Sequence, residues 1–461
     1  MRTDMKDTLD APAPPHPLLA APVAPTLLKL AAPNLLGMLA TTAVSIAETA
    51  YIGRLGAEPL AAAALVLPLI MLMGMMSAGA MGGGVSSAVS RALGAGDQAR
   101  AEALARHSVV LALGFGLFFT LVLILFGRGV FGLLGGQGEI LHQAVIYSAI
   151  VFSFAAAIWL QNMLASILRG SGDMVGPSMA FLGGAALQVA VGGTLCFGWG
   201  PAPQLGIVGV GLGQATAATI VTLVLLWMLC RPTARVRLTA RGPLKRELFG
   251  DILKVGAPAL LSPIQTVATI LIITAIAARF GTETLAGYGI GSRLEFLLVP
   301  IAFSVGIASL PMVGLAIGAG DVARARRVAW TAGGMAAAGL GVLGLFLALV
   351  PGLWVSIFTH DAGVAAAASL YLHFAGPVFV FFGLSLALYF SAQGAGKIGG
   401  PLLAGTVRLV LVAVGGLVLV KTGAPSWTLF LLVALGMVTM GVVTAGSIAI
   451  TPWGPKTPVK S

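Results

Sequence analysis

The chain consists mainly of long apolar stretches separated by short polar connections. Each stretch is long enough to cross a hydrocarbon core of ~30 Å, which takes about 20 helical residues. Twelve such stretches form two sets of six, and they predict twelve transmembrane helices. Their approximate bounds are 27–51, 59–89, 107–126, 141–168, 177–198 and 206–229, then 253–277, 285–317, 328–357, 363–391, 401–420 and 427–450.

The second set of six repeats the first in parallel. Lys29-Leu-Ala-Ala-Pro33 returns as Lys254-Val-Gly-Ala-Pro258, and Gly94-Ala-Gly-Asp97 returns as Gly318-Ala-Gly-Asp321, at nearly the same offset in sequence number. Landmarks that recur in one order at a nearly constant spacing indicate a duplicated structural unit. Because six is an even number, both copies enter the membrane in the same direction. The pattern therefore predicts an all-α polytopic membrane protein with two parallel-repeat six-helix bundles.

Composition supports a membrane protein. Apolar residues make up 58% of the chain and charged residues 9%, whereas soluble domains carry roughly a quarter charged residues. The mean hydropathy is +1.01. The net charge of +11 comes from short loops rather than from one folded face, so nucleic-acid binding is not predicted.

The basic residues also predict an orientation. With the amino terminus inside, 20 of the 26 Lys and Arg residues fall on the cytoplasmic side and four on the other. The positive-inside rule then places both termini in the cytoplasm. We expect the chain in the plasma (inner) membrane. The predicted organisation is a disordered cytoplasmic tail (1–26), an N-terminal bundle (27–230), a cytoplasmic linker (231–250), a C-terminal bundle (251–450) and a second cytoplasmic tail (451–461).

No motif for nucleotide or metal chemistry accompanies these spans. A phosphate-binding loop with its Lys-Ser/Thr pair is missing, and Cys196 and Cys230 lie at the ends of apolar stretches without metal-ligand spacing. We therefore expect no cofactor and no metal. Active transport by such a chain would depend on an ion gradient, with H⁺ or Na⁺ as the coupling ion.

Several motifs resemble those of the multidrug and toxic compound extrusion (MATE) family. They are Ser45-Ile-Ala-Glu-Thr-Ala-Tyr-Ile-Gly-Arg-Leu-Gly-Ala-Glu-Pro-Leu-Ala61, Ser90-Arg-Ala-Leu-Gly-Ala-Gly-Asp97, Leu168-Arg-Gly-Ser-Gly-Asp173 and Tyr288-Gly-Ile-Gly-Ser-Arg-Leu-Glu295. The resemblance implies two bundles around a central cavity that opens alternately to each side of the membrane. It also implies export of small molecules against an inward flow of protons or sodium ions.

Few charged residues lie well inside the predicted spans. They are Glu48, Arg293, Glu295 and Arg408. Such residues are costly in lipid and usually face a bundle interior, water or a partner. Glu48 stands where the family usually has a first-helix aspartate. We hypothesise that it alternates between a proton or sodium ion and a cationic substrate; the alternative is an interfacial acid near the outer end of its span.

The chain departs from the family's usual acids elsewhere. An asparagine and an aspartate in the fifth helix of many members correspond here to Gln188 and Gly192, and a seventh-helix glutamate of another branch falls at or beside Gln265 and Thr266. The second acid is Glu295 instead. Glu295 either attracts the substrate or belongs to a structural network, since two residues along a helix do not make it face Arg293.

Other polar residues in the spans are candidates to line the cavity or to hydrogen-bond between helices. They are Asn34, Gln161, Asn162, Gln188, Gln265 and Arg293.

The sequence thus predicts a monomeric secondary transporter that exports amphipathic, cationic small molecules and is in contact with membrane lipid. One alternative is a flippase for lipid-linked sugars or polysaccharides, which would be expected to present basic residues to phosphate. An intramembrane enzyme is a second alternative, but the chain lacks a nucleophile–base or metal constellation.

Overall fold

The computed structural model describes residues 16–239 and 241–454, and every regular element in that part of the chain is helical. Between α3 and α4 the helix continues as a π-helical segment, Met75–Met81, and a 3₁₀ turn, Gly376–Val378, joins α15 to α16. The α-helices are α1 Pro17–Ala20, α2 Val23–Leu55, α3 Ala57–Gly74, α4 Gly82–Gly94, α5 Gln98–Leu133, α6 Gly138–Ser153, α7 Ala155–Gly170, α8 Val175–Phe197, α9 Ile207–Cys230, α10 Arg246–Ala259, α11 Leu261–Arg279, α12 Thr282–Gly318, α13 Val322–Leu349, α14 Gly352–Val355, α15 Ala362–Ala375, α16 Phe379–Gly394, α17 Gly399–Thr422 and α18 Trp427–Ile450.

Length and apolar composition make most of these helices membrane spans. Within the described residues, eleven continuous helical stretches can cross a bilayer, and α6 with α7 forms a twelfth if that pair, bent by 44°, counts as one span. The prediction of an all-α polytopic membrane protein is confirmed. We call the side on which α9 ends and α10 begins the linker side, and residues 23–230 and 246–450 the N-terminal and C-terminal halves.

The repeated Gly-Ala-Gly-Asp motif forms the same turn in both halves. Gly96 and Gly320 have φ angles of 76° and 80°, a left-handed conformation that glycine adopts at little steric cost. Asp97 then caps α5 by accepting a hydrogen bond from the Arg100 N–H at 2.8 Å, and Asp321 caps α13 from the Arg324 N–H at 2.8 Å. The repeat seen in the sequence is therefore also a repeat of local structure.

Reciprocal glycine contacts join the two halves on the linker side. A side chain at Gly94 would collide with the backbone of Leu315, and one at Gly318 would collide with the backbone of Arg91. Residues 91 and 315 are themselves equivalent positions of the two copies, so the two contacts are related by the repeat. Small residues let helix backbones approach this closely. The contact brings α4 and α12 close together at the linker side.

A buried glutamine strengthens this junction. Gln393, on α16, is fully buried and donates to the carbonyl oxygens of Gly79 at 3.1 Å and Ala80 at 3.2 Å. Both acceptors belong to the π-helical segment of the other half. Ser87 completes the contact by donating to the Gln393 carbonyl oxygen. A side chain of the C-terminal half thus satisfies irregular backbone in the N-terminal half.

The first helix of each half crosses over to the opposite half. Leu27 of α2 is fully buried in the hydrophobic core of the C-terminal half. Ile252 of α10, the equivalent position in the second copy, is fully buried in the core of the N-terminal half. We call residues 23–31 and 246–256 the crossover segments. Beyond them, α2 packs on α8 and α11 packs on α17, each within its own half.

The two halves differ at the proline that follows each crossover segment. Helix α2 runs without interruption through Pro33, whereas the equivalent helix around Pro258 is divided at Leu260 into α10 and α11. Proline removes a backbone hydrogen bond and favours a bend, and only the second copy shows the break.

The terminal segments are more ordered than the sequence suggests. Within the predicted disordered tail 1–26, the described residues are ordered, because α1 begins at Pro17 and Arg324 donates to the carbonyl oxygens of Leu18, at 2.8 Å, and Ala21. The predicted linker 231–250 ends early, since α10 starts at Arg246. Within the predicted C-terminal tail, Trp453 is buried. Residues 1–15 and 455–461 lie outside the described residues.

Candidate ion and substrate site

Glu48 is held by a neutral partner. It lies half-buried on α2, and its Oε1 accepts a hydrogen bond from the Gln188 Nε2 of α8 at 2.7 Å. No Lys, Arg or His in the described part of the chain forms an ion pair with it. A carboxylate bonded only to an amide can take up a proton or a cation without breaking a salt bridge. Two of the predicted residues are thus brought together.

Glu48 also lies on the polar face of an otherwise apolar helix. Ser45 and Thr41 lie three and seven residues before Glu48 on α2, and Thr49 lies four residues after Ser45, as neighbours on one helix face do. Thr41 and Thr49 are exposed and donate to backbone carbonyl oxygens of their own helix, at 2.7 and 2.8 Å. Hydroxyl groups satisfied in this way can line a cavity without needing a partner helix.

The second acid, Glu295, lies in a denser network. It is half-buried on α12 and accepts a hydrogen bond from the hydroxyl of Tyr371, which is fully buried on α15. Arg408 of α17 is near enough to act electrostatically on both Glu295 and Tyr288. The Nη1 of Arg408 donates to the Met440 sulfur at 3.5 Å, and its Nε is buried without a hydrogen-bond partner among the described residues.

Arg293 lies apart from this network. Its side chain is exposed, and its Cζ is 5.3 Å from the centre of the Phe358 ring, beyond α14. Tyr371 and Arg408, rather than Arg293, surround Glu295. This agrees with the expectation that residues two apart on a helix do not face each other.

The remaining predicted polar residues are distributed between helix contacts. Asn162 of α7 donates to the Ser77 hydroxyl in the π-helical segment at 2.8 Å. Gln265 of α11 donates to the Thr406 hydroxyl of α17 at 2.7 Å and to the Leu402 carbonyl oxygen at 3.3 Å. Both residues bridge helices within one half. They are 9% and 6% exposed, which leaves little of either side chain open to a cavity.

Asn34 and Gln161 make no such bridge in the described structure. Asn34 is 2% exposed, and its amide nitrogen has no hydrogen-bond partner among the described residues. Gln161 is half-buried on α7, next to Asn162. Asn34 thus carries a buried donor on the same helix as Glu48, three residues past the crossover segment.

Comparison with known proteins bears on the family of this chain. A family model described as MatE matches residues 33–193 and again residues 258–418, so each match lies within one half. The chain belongs to the MATE family. It is 31% identical over 427 residues to a probable multidrug resistance protein NorM of Deinococcus radiodurans, across 84% of this chain and 86% of that protein.

Other similarities support the same assignment. The chain is 26% identical over 319 residues to an FAD transporter of Shewanella oneidensis, across 68% of this chain and 69% of that one. Its fold matches an outward-facing multidrug resistance MATE family transporter of the MOP superfamily with a TM-score of 0.87, at 23% identity over 96% of this chain and 99% of the other. The protein is thus a multi-pass membrane transporter of an efflux family.

Two tyrosines of the site escape a search for charged residues. Tyr147 of α6 is 2% exposed and interacts electrostatically with Glu48, while Tyr371 bonds Glu295. They stand at equivalent positions of the two copies, so the repeat itself would have paired them. In this MATE protein the two tyrosines come from equivalent helices, α6 and α15. The acids beside them come from helices that are not equivalent, α2 and α12.

The described residues contain no arrangement suited to a resident metal. Across residues 16–239 and 241–454, no group of three His, Cys, Asp or Glu side chains could hold a metal ion. Cys196 is buried and Cys230 exposed, and both are free. The two membrane acids, Glu48 and Glu295, thus stand as separate carboxylates, one in each half.

Proposed function

We propose that the protein exports amphipathic, cationic small molecules by antiport with protons or sodium ions, through alternating access of a monomer. The observation that carries the proposal is the environment of Glu48, a membrane carboxylate whose described hydrogen-bond partner is neutral. A group of this kind can exchange a coupling ion for a cationic substrate at one position. The similarity to a probable multidrug resistance protein supports the substrate class.

Glu295 has a different role in this proposal. The hydroxyl of Tyr371 and the nearby Arg408 already compensate part of its charge. We propose that it adds to the negative potential of the cavity and also fixes α12 against α15. The substitution Glu295→Gln should lower both transport and thermal stability. Loss of transport at full stability would leave only the substrate role, and loss of folding alone would leave only the structural one.

We propose that the protein lies in the plasma (inner) membrane and that its linker side faces the cytoplasm. Most basic residues lie on that side, which the positive-inside rule assigns to the cytoplasm. The glycine contacts close that side, so the conformation described would be outward-facing. The similarity to a transporter in an outward-facing conformation supports this view.

The available gradients are sufficient for such a cycle. A tenfold proton gradient supplies ~1.4 kcal/mol, and each charge that crosses 100 mV adds ~2.3 kcal/mol. Ion entry from outside would compete for Glu48, release the substrate outward and favour opening of the linker side.

The test is transport of a fluorescent lipophilic cation into proteoliposomes. A proton gradient or a sodium gradient is imposed separately, and the parent protein is compared with Glu48→Gln. Gradient-driven uptake by the parent, lost in the variant, is expected, and the effective ion identifies the coupling. Uptake by Glu48→Gln equal to that of the parent would contradict the role of Glu48.

A second candidate substrate is a phosphate-bearing anion. One relative is named an FAD transporter, and the Nε of Arg408 is buried without a partner among the described residues. The flippase alternative shares this phosphate chemistry. The same proteoliposomes, loaded with FAD or with a lipid-linked sugar, distinguish these cases. Anion transport that survives Glu48→Gln but not Arg408→Gln would replace the cation proposal.

A further inference from the structure

A groove of about 440 Å³ lies between α8 and α9, outside the region of the two acids. Its volume falls within the range of ~300–1,000 Å³ that small-molecule sites occupy. The lining is almost entirely apolar and includes Met179, Gly183, Gly184, Val221, Trp227 and Met228. Arg231 closes the linker-side end.

Glycines on α8 create the depth of this groove. At Gly183 no atom lies within 4 Å of the position that a side chain would take, so the space beside it is open. At Gly184 a side chain would collide with Val221 of α9, and at Gly176 it would collide with Met228. The missing side chains bring the two helices together at some points and leave a slot between them at others.

The walls of the groove are apolar surfaces of two membrane spans. Met179 is 57% exposed, Trp227 is 59% exposed and Ile220 is 41% exposed. Helices α8 and α9 are both long and apolar enough to cross the bilayer. In a membrane-spanning helix, apolar side chains that no protein covers are in contact with lipid. An acyl chain is therefore the component of the surroundings that matches the walls.

The linker-side end of the groove carries a fixed positive charge. Arg231 follows the last residue of α9, and its Cζ lies 3.2 Å from the centre of the Trp227 ring. Cation–π contact of this kind holds a guanidinium in place. Trp and Arg at the end of a span are typical of the membrane–water interface. The arginine therefore lies at the depth of lipid headgroups.

The acid beside this groove, Asp173, does not pair with this charge. Asp173, two residues before α8, lies close to Gly176 and accepts a hydrogen bond from its backbone N–H at 2.9 Å. No salt bridge joins Asp173 to Arg231 in the part of the chain that the structure describes. Arg231 therefore has no acidic side chain paired with it among the described residues and can bind an anion from outside the protein.

We propose that this groove binds one anionic phospholipid of the linker-side leaflet, with an acyl chain between α8 and α9 and the headgroup phosphate at Arg231. The apolar slot and the terminal cation match the two parts of such a molecule. A zwitterionic lipid fits the slot but gains less from the cation, because its headgroup has no net negative charge.

The experiment counts the lipids retained by the full-length protein. The protein is placed in nanodiscs that contain equal amounts of phosphatidylglycerol and phosphatidylcholine with identical chains, and native mass spectrometry identifies the bound lipid. The variants are Arg231→Gln, which removes the charge, and Gly183→Leu, which fills the slot. Gly114→Leu on α5 is the matched control, because Gly114 is also exposed and has no atom within 4 Å of its side-chain position.

The parent should retain one phosphatidylglycerol in preference to phosphatidylcholine. Arg231→Gln should reduce that preference about fivefold, the effect of one basic residue at an anionic surface. Gly183→Leu should lose the lipid regardless of headgroup, and Gly114→Leu should retain it, with equal helical content by circular dichroism. Equal retention by Gly183→Leu and Gly114→Leu would overturn the proposal, as would a parent without a headgroup preference.

If Gly183→Leu does not fold, Arg231→Gln decides the question alone. Its side chain lies at the membrane surface, so folding is not expected to depend on it. An unchanged headgroup preference in Arg231→Gln would remove the arginine from the proposed site.

Discussion

The two halves of this MATE protein share their framework but not their acids. Turns, helix caps, linker-side glycine contacts and buried tyrosines recur at equivalent positions of the two copies. Glu48 lies on the first helix of its half, beside a neutral amide, whereas Glu295 lies on the second span of its half, beside a tyrosine and an arginine. The duplication preserved what positions the helices, and the chemistry diverged within it.

This difference predicts distinct roles for the two acids, Glu48 and Glu295. An acid with one neutral partner can change its charge state at low structural cost, whereas an acid within a network of polar and charged groups is coupled to the stability of that network. We therefore expect the N-terminal half to respond to ions and the C-terminal half to respond more in stability.

The largest effect is expected from Glu48→Gln compared with Gln188→Ala. Glu48→Gln removes the exchangeable charge, so coupled transport should fall by about 5–150-fold, the factor that corresponds to typical coupling free energies. The second leaves the acid without its partner and should shift the pH or sodium dependence while retaining transport. Ion-driven uptake in proteoliposomes measures both. If Gln188→Ala abolished transport as fully as Glu48→Gln, the amide would be essential in its own right.

The next effect tests the reciprocal glycine contacts that the two halves share at the linker side. Gly94→Ala and Gly318→Ala each push against backbone of the opposite half, and overpacking of this kind costs ~1–3 kcal/mol. Both should open the linker side, and to a similar extent. The distance between spin labels at Ala99→Cys and Ala323→Cys, exposed and equivalent under the repeat, measures opening in a Cys230→Ser background.

Gly250→Ala is the control for that pair, because it adds a methyl group to α10 where no atom lies within 4 Å. An increase in distance for only one of the two glycine variants would show that the interface is not symmetric in energy.

A smaller effect distinguishes the two tyrosines. Tyr371→Phe removes a hydrogen bond to Glu295 and should lower stability by about 1 kcal/mol. Tyr147→Phe should cost less, since the Tyr147 hydroxyl makes no hydrogen bond in the described residues. Thermal unfolding in detergent compares them. In the Glu295→Gln background the cost of Tyr371→Phe should shrink, and an unchanged cost would mean that the tyrosine acts through packing alone.

The smallest effect concerns the docking of the segment before α2, residues 16–22, against the rest of the protein. Burial lowers the pKa of His16, the hydrogen bond with the Ser171 carbonyl oxygen opposes this shift, and the nearby Arg235 guanidinium adds to it. The undocked histidine then binds a proton at a higher pH than the docked one. Docking is therefore complete above about pH 6.5 and weakens as the pH falls below that value.

A spin label at the exposed residue Ala20→Cys, again with Cys230→Ser, should become more mobile between about pH 7.5 and about pH 5.5. His16→Gln should remove this pH dependence. Mobility that still changes with pH in His16→Gln would transfer the effect to another group.

The sequence was sufficient for the architecture because its signals are local. Apolar length predicts spans, and motifs that return in the same order at a nearly constant offset predict two halves, without knowledge of any tertiary contact. Glu48 and Glu295 stand out as candidate site residues because charge is costly in lipid. Both arguments need only the order of residues along the chain.

The partners of those acids depend on helix tilt and rotation, which local patterns do not determine. Tyr371 is 76 residues from Glu295, and Gln393 is far along the chain from the backbone that it satisfies, in the other half. An apolar helix containing one tyrosine or glutamine gives no sign of which neighbour it faces. The helical tail from Pro17 was missed because its order comes from Arg324 and from packing against the other half.

The crossover segments have a consequence for how the protein is made. Leu27 leaves the ribosome long before the core in which it is buried, and the N-terminal half remains without Ile252 until synthesis has passed the linker. Each half needs a crossover segment of the other half to complete its core. The two copies therefore exchange these segments as the subunits of a domain-swapped dimer do, but within one chain. Two halves expressed from separate genes should insert into the membrane, yet gain resistance to proteolysis only when they are produced in the same cell.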